Sequence, residues 1–226
     1  MRLSSFLTCC ACAATVTLLC ACGSSSSSTT ASTATSSACA YTSDSVTAES
    51  PVVKVSPLGS PAAYNVSQHT TKPVSCGTTL TVGQSGTAQA QFGGQESCQL
   101  MQYNEQLASL TTRTPSFDLL TLNSGQLWCS INLPIEVPNT VTCPYGTVRA
   151  QSGQWYEICA SDPVFEVAVY RGSVQVTDLK GQSKSVLAGH EVYFDFAAGV
   201  LMPSQPHFLP ADRQIFRDLA LAAKAD

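Results

Sequence analysis

The fold class follows from the run Pro163-Val-Phe-Glu-Val-Ala-Val-Tyr-Arg-Gly-Ser-Val-Gln-Val-Thr-Asp178. Apolar and polar residues alternate on both sides of Arg171-Gly172, which is the pattern of a strand that buries one face. Valine and other β-branched residues favour extended backbone. A glycine between two such runs permits the positive φ of a tight turn. The run therefore predicts two strands joined by a turn at Gly172.

Similar short runs occur on both sides of this one, and turn residues interrupt them about every 8 to 12 residues. No segment between them is long enough for the helical crossover that a parallel sheet needs. We therefore predict an all-β body, an antiparallel or solenoid-like sheet or sandwich of short strands. The other runs cover residues 78–82, 88–92, 117–122, 126–131, 155–159, 183–187 and 191–196.

The same alternation predicts three local details. Gly189 should allow a tight turn, as Gly172 does. The triplet Asn123-Ser124-Gly125 is typical of a turn and should separate the runs on either side of it. Four valines share one face of their strands and should be buried, namely Val174, Val176, Val186 and Val192.

The C-terminal segment has a different periodicity. Ile215, Phe216 and Leu219 recur at helical spacing on one face, and Asp212 is favourable in a first helical turn. This predicts one C-terminal α-helix over residues 211–225. The helix would cover the sheet or, alternatively, dock a partner.

The first residues have the composition of an export signal. Arg2 precedes an uncharged, mainly apolar segment. The run Leu19-Cys20-Ala21-Cys22-Gly23 at its end resembles the lipobox of bacterial lipoprotein precursors, although Cys20 stands where Ser, Thr or Ala is usual. The resemblance implies that residues 1–21 are a lipoprotein signal peptide and that Cys22 carries the lipid. The alternative is an uncleaved membrane anchor.

Serine, threonine and alanine dominate the residues after Cys22 and cannot bury a core. We therefore predict a lipidated cysteine and a disordered tether over residues 22–50, followed by a β domain over 51–226. The mature protein would be exported and held by its lipid on the extracytoplasmic side, at the outer membrane or the outer face of the cytoplasmic membrane. No cofactor is predicted.

The chain has 11 cysteines, and six of them follow Cys22. An even number in an exported domain predicts disulfides, but spacing leaves the pairing open. Short loops over 129–143 or 143–159 are among the options. No C-x-x-C pair occurs among the six cysteines after Cys22 and the histidines are far apart, so no metal site is predicted. The candidate disulfide cysteines are Cys39, Cys76, Cys98, Cys129, Cys143 and Cys159, with Cys39 the one expected to be unpaired or loosely tethered.

The second half of the chain resembles the FecR-type domain. The resemblance rests on the run 163–178 and on Lys180-Gly-Gln-Ser-Lys-Ser-Val-Leu-Ala-Gly-His-Glu-Val192. With the runs 86–92 and 122–127 it covers residues 76–200. It implies an extracytoplasmic sensory or interaction module, the kind that forms the periplasmic part of sigma-factor regulators in iron-uptake signalling. Without a cytoplasmic anti-sigma domain or a helix that crosses the membrane, we expect the module but not the signalling role.

Composition and motifs argue against several functions. The net charge is −4 and no basic run occurs, which excludes nucleic acid as the expected partner. The serine-nucleophile patterns G-x-S-x-G and S-x-x-K are both absent. The string Ala188-Gly189-His190-Glu191-Val192 resembles the metal-binding element of cupin barrels but lacks its His-x-His partner. Spacing selects no catalytic pair among Glu96, Glu105, Asp118, Glu136, Glu157, Asp162, Glu166 and Asp195.

We therefore predict no enzymatic activity and no catalytic residue. The chain is expected to be a membrane-tethered binding, sensory or structural module of the cell envelope. Its partner would be an envelope protein or a cell-wall polymer. The alternatives are an envelope hydrolase built from the scattered carboxylates, or a polysaccharide-binding protein whose aromatic side chains stack on sugars.

Overall fold

The computed structural model describes residues 44–51, 53–92, 96–103, 107–112, 119–131 and 138–207, with Ile215 and Asp218. The secondary-structure elements in these ranges are eighteen strands, which hydrogen-bond into one mixed sheet within the compact unit 37–226. The sheet-forming part of the chain that the structure describes is therefore all-β, as predicted. The strands are β1 (Ser45–Ala48), β2 (Val53–Ser56), β3 (Tyr64–Val66), β4 (Thr71–Pro73), β5 (Thr79–Val82), β6 (Thr87–Phe92), β7 (Glu96–Met101), β8 (Ala108–Thr111), β9 (Leu119–Ile131), β10 (Asn139–Cys143), β11 (Gly146–Ala150), β12 (Trp155–Ser161), β13 (Val164–Arg171), β14 (Ser173–Asp178), β15 (Ser183–Leu187), β16 (His190–Asp195), β17 (Val200–Leu201) and β18 (Gln205–Pro206).

The strands form two ladders that share β9. Ladder I has the order β3-β2-β5-β8-β9-β10-β11-β14-β15. Ladder II has the order β4-β1-β6-β7-β9-β12-β13-β16, with β17 and β18 both paired to β16. Among the described strands, β9 and β10 are the one parallel pair. The antiparallel prediction therefore describes nearly all of the sheet.

Both ladders bury one face in a single cluster of apolar side chains. Leu80 and Leu110 enter it from ladder I, whereas Phe92 and Ile158 enter it from ladder II. Full burial of a side chain of this size stabilises a fold by about 1.5–3 kcal/mol. The shared core, together with β9, therefore holds the two ladders in one body.

The buried positions of β9 change phase along the strand. Leu120 and Leu122 lie in the shared core, and so do Leu127 and Ile131. Side chains of a regular strand alternate between two faces, so even and odd positions cannot both point to the same core. An extra residue must therefore lie between the two halves of β9.

The extra residue is Asn123. Leu122 pairs with Leu110 of β8 and Ser124 pairs with Ser109, so that Asn123 has no residue opposite it on β8. A β-bulge of this kind shifts the alternation by one position. It allows β9 to present apolar side chains to one core in both of its ladders.

Gly125 follows the bulge, where β9 leaves β8 and begins to pair with β12. Its φ is +101°, in the region that favours glycine. A Cβ atom at this position would lie 2.5 Å from the Cβ of Ala108 and 2.8 Å from the carbonyl oxygen of Met101. Both the backbone conformation and the close approach therefore require glycine.

The predicted local details are confirmed at two turns and at the valines. Gly172 and Gly189 have φ values of +78° and +80° and lie at the β13–β14 and β15–β16 turns. The four valines of the predicted buried face are buried. The turn predicted at residues 123–125 is wrong, because β9 passes through them without a reversal of direction.

The boundaries of the β body also differ from the prediction. β1 lies within residues 22–50, the predicted tether, and its Val46 and Ala48 are part of the shared core. Apart from Ile215 and Asp218, the predicted helix over 211–225 lies outside the described residues. Among the residues that the structure describes, no helix has the length and apolar character needed to cross a membrane.

Gly125→Ala should destabilise the protein by more than about 2 kcal/mol, because both a strained φ and a steric overlap would be introduced. Urea denaturation followed by circular dichroism measures the loss. Gly181→Ala is the matched control, since Gly181 also has a positive φ but has open space around it. The control should lose only about 1 kcal/mol, and equal losses in the two variants would contradict a steric requirement at position 125.

Candidate functional site

Strand alternation places polar side chains on the outer face of ladder II, the face opposite to the shared core. On β13, Val167 and Val169 enter the core, so Glu166, Ala168 and Tyr170 lie on the outer face. The same alternation puts Glu157 and Cys159 of β12 on the outer face, since Tyr156, Ile158 and Ala160 are in the core.

Strand register collects these side chains around Ala168. Glu157 of β12 and Glu191 of β16 are the direct neighbours of Ala168 on the two sides. Glu166 and Tyr170 lie two positions before and after it on the same strand. Because the central residue has only a methyl group, the four longer side chains can converge over it.

His207, just after β18, completes this group, which we call the Ala168 cluster (Glu157, Glu166, Tyr170, Glu191 and His207). His207 Nε2 lies 2.8 Å from the Tyr170 hydroxyl. Its Nδ1 contacts Glu191 Oε2 directly and lies 3.9 Å from Glu166 Oε1. Three separate segments of the chain thus bring an imidazole and two carboxylates together.

Neighbouring groups fix the orientation of the cluster. The Tyr170 hydroxyl donates a hydrogen bond of 2.9 Å to Glu157 Oε2, and the Gln126 amide donates to Glu157 Oε1. The Gln205 amide donates a bond of 2.7 Å to Glu191 Oε1. These bonds hold the carboxylates in set positions before any ligand arrives.

Aromatic rings flank the cluster on one side. The ring of Trp128 lies 5.9 Å from that of Tyr170, and the His207 ring meets Tyr170 edge-on at 5.5 Å. Trp128 also packs with Met101, Trp155 and Ile215. The cluster is partly buried, since the side chain of His207 is 10% exposed, that of Glu191 15% and that of Glu166 29%.

The two carboxyl groups beside His207 have opposite pKa shifts. Burial raises the pKa of Glu166 to about 7, and the charge of Glu191 and a hydrogen bond with it act in the same direction. Burial also opposes ionisation of Glu191, but hydrogen bonds with Gln205 and His207 outweigh it and lower the pKa of Glu191. At pH values below about 7 the pair can therefore hold one proton, mainly on Glu166.

The structure corrects the disulfide prediction for two cysteines. Cys98 and Cys129 are directly opposed on β7 and β9 and are bonded, with their Cα atoms 4.2 Å apart, and Cys76 is also disulfide-bonded. Cys143 and Cys159 are buried free thiols. The loop 129–143 is not closed because Cys129 is bonded to Cys98. The loop 143–159 is not closed, and Cys143 points into the core whereas Cys159 points to the outer face.

These two thiols are not candidate nucleophiles. Burial raises the pKa of Cys143. Burial and the charges of Glu157 and Glu166 raise the pKa of Cys159, whose thiol lies 3.3 Å from Glu157 Oε1. A protonated, buried thiol is a poor nucleophile. Cys22 and Cys39 lie outside the described residues.

Of the acidic residues considered as catalytic candidates, the structure brings together Glu157 and Glu166. Glu96 lies elsewhere, where it accepts a hydrogen bond of 2.9 Å from Asn139. Asp195 accepts backbone hydrogen bonds in its own turn. Glu105, Asp118 and Glu136 lie outside the described residues.

Sequence reasoning missed the partnership of Glu191 with His207. The cupin-like string pairs Glu191 with its neighbour His190, but adjacent residues of a strand point to opposite faces. The β16–β18 pairing instead sets Glu191 opposite Gln205, two residues before His207. The signal available in the sequence was that Glu166 and Tyr170 lie two positions on either side of the small residue Ala168.

Two surface cavities occur elsewhere in the described part of the chain. One, of about 320 Å³, lies over ladder I. Its lining is polar and includes Arg149, Gln151, Gln154 and Gln175. The other, of about 380 Å³, lies between Glu49, Thr87 and Asp218. Neither is lined by the Ala168 cluster.

No protein family model matches the chain, and no curated protein does so either. Similar solved structures include two crystal structures, at 1.65 and 2.50 Å resolution, of a "putative anti-sigma factor" from Parabacteroides distasonis ATCC 8503. They are 15% and 14% identical to this chain, with a TM-score of 0.49 in each case. The match spans 57% of this chain and 59% of that protein. At this level of likeness it assigns no function to this chain.

The free energy of unfolding should fall as pH rises from about 5 to 7. Glu166 has a pKa of about 7 in the folded protein and an ordinary value of 4.5, so the folded state binds more protons between these values. The loss should be on the order of 2 kcal/mol. Glu191 acts in the opposite direction at lower pH, where protonation of its carboxylate removes stability.

Urea denaturation at a series of pH values, with EDTA present, measures this dependence. Glu166→Gln should flatten the slope between pH 5 and 7, whereas the exposed Glu49→Gln variant should keep it. A wild-type slope that Glu166→Gln leaves unchanged would show that Glu166 does not hold the proton.

Proposed function

We propose that this chain is a lipid-anchored, non-enzymatic binding module of the cell envelope, of the FecR-like type. Its partner would be another envelope protein or a cell-wall polymer. The observation that carries the proposal is the outer face of ladder II. There, polar side chains from β12, β13 and β16 are held by one another in set positions, as a preorganised binding surface requires.

The strand pattern supports the FecR-like part of the proposal. The quoted run occupies β13 and β14, and the run 180–192 forms β15 and β16 with the Gly189 turn between them. These strands are neighbours in the sheet, since β14 pairs with β15 and β13 pairs with β16. The quoted segments therefore form one connected unit.

A hydrolase is the second candidate, because the opposite pKa shifts of Glu166 and Glu191 resemble those of an acid and a base that work together. Geometry favours binding. Glycosidases need carboxyl groups about 5–9.5 Å apart, with room for the sugar carbon or a water between them. One carboxylate oxygen of Glu166 and one of Glu191 instead lie within 4.8 Å of each other and of a ring nitrogen of His207.

The non-enzymatic assignment predicts that the purified chain releases no soluble fragments from peptidoglycan or from envelope proteins. Chromatography of the supernatant after incubation measures release. Glu166→Gln is the informative variant, with Glu49→Gln as its control. Fragments that appear with the wild type and with Glu49→Gln but not with Glu166→Gln would overturn the binding assignment in favour of the hydrolase.

The anchor assignment predicts that Cys22→Ala releases the protein from membranes, because the mutant has no sulfur to carry the lipid. Fractionation of cells and immunoblotting of the soluble and membrane fractions measure the release. Cys20→Ala, two residues away in the same run, is the matched control and should stay with the membrane. Retention of Cys22→Ala at the wild-type level would refute lipidation at this position.

A further inference from the structure

We propose that Glu166, Glu191 and His207 form a binding site for a divalent transition-metal ion such as Zn²⁺. The inference is independent of the lipid anchor and of the partner proposed above. It rests on the positions of three ligand atoms, on the hydrogen-bond roles at His207 and on the groups that orient the ligands.

The ligand atoms are His207 Nδ1 and one oxygen each from Glu166 and Glu191. All of them lie within 4.8 Å of one another, and Nδ1 is 3.9 Å from Glu166 Oε1. Ligands at 2.0–2.2 Å from a tetrahedral ion are about 3.4 Å apart. Small rotations of two glutamate side chains would therefore complete a three-ligand site.

The contacts of His207 orient its two ring nitrogens differently, with Nε2 toward Tyr170 and Nδ1 toward the carboxylates. Tyr170 has one hydroxyl hydrogen, and it is donated to the carboxylate of Glu157. The Tyr170 oxygen then accepts from His207, so Nε2 carries a hydrogen. Nδ1 faces the carboxylates of Glu191 and Glu166, so a metal ion bound to this nitrogen would meet both of them.

His207 Nδ1 is in hydrogen-bond contact with Glu191 Oε2, and a metal ion can replace the hydrogen between them. Unlike a hydrogen, the metal ion would also draw Glu166 Oε1, now 3.9 Å away, into contact with the same centre. The metal also offsets the repulsion between two adjacent carboxylates.

Outer hydrogen bonds support the metal assignment. A metal-binding histidine almost always shares its other nitrogen with an orienting group, and binding carboxylates are themselves hydrogen-bonded. Tyr170 supplies this contact to His207, and Glu157 fixes Tyr170 in turn. The Gln205 amide does the same for Glu191.

The ligand set indicates the class of ion. One imidazole with two carboxylates suits borderline ions such as Zn²⁺, Fe²⁺ and Mn²⁺, whereas Mg²⁺ and Ca²⁺ prefer oxygen ligands alone. Three protein ligands leave one coordination position for a water or for a group of a bound partner. The buried thiol of Cys159 is hydrogen-bonded to Glu157 and is not one of the ligands.

The test is titration of the full chain with Zn²⁺ by calorimetry, in detergent and after treatment with a chelator. We expect one Zn²⁺ per chain and a rise of several degrees in the thermal midpoint. His207→Gln and Glu191→Gln should each weaken binding by at least about 100-fold. His190→Gln is the matched control, because His190 is adjacent to Glu191 but on the other face of β16, and it should bind as the wild type does.

Two further measurements keep the result decisive. Tyr170→Phe preserves the ring and removes the hydroxyl, so it should weaken Zn²⁺ binding by about 10- to 100-fold without unfolding the protein. X-ray absorption at the zinc edge should show one nitrogen and at least two oxygen neighbours and no sulfur. Failure of Zn²⁺, Fe²⁺ and Mn²⁺ to bind, or equal binding by the His207→Gln variant, would overturn the site.

Discussion

Strand β9 belongs to both ladders and has to bury apolar side chains in the same core along its whole length. The rest of the fold depends on how it does so. A regular strand could present either its even or its odd positions, but not both. The unpaired Asn123 shifts the phase, and Gly125 accepts the backbone conformation and the close approach of Ala108 that follow. Leu122 and Leu127 consequently point to one core, although they are five positions apart.

The same alternation that builds the core also builds the candidate site. Valines at odd positions of β13 leave Glu166, Ala168 and Tyr170 on the outer face. The carboxylates on either side of Ala168 are tolerated because tyrosine, glutamine and histidine side chains form hydrogen bonds with them. The apolar face of the strands supplies the burial that balances the cost of placing like charges together.

Local periodicity made much of the fold predictable. Local sequence determines the strands around Gly172, the buried valines and the Gly189 turn. These features depend on neighbours within a few residues, so the sequence pattern predicts them. The bulge in β9 was missed because Asn123-Ser124-Gly125 has the composition of a turn. Only pairing with β8, distant in sequence, shows that the chain continues straight through these residues.

The site was less predictable, because it depends on which strands are neighbours and not on local periodicity. Glu157, Ala168 and Glu191 are aligned by the register of three strands, and His207 arrives from beyond β18. Cysteine pairing likewise depends on which strands are neighbours. Cys98 and Cys129 face each other on adjacent strands, whereas Cys143 and Cys159 point to different faces. No spacing along the chain encodes these relations.

Because β9 belongs to both ladders, it affects how the β body unfolds. Neither ladder can open at its centre without removing a strand from the other, so local fluctuations of the two halves are energetically coupled. Such a body should lose its structure in one cooperative transition. Since β9 pairs with β7 and β12 in ladder II and with β8 and β10 in ladder I, most of its contacts are non-local, which is typical of domains that fold slowly.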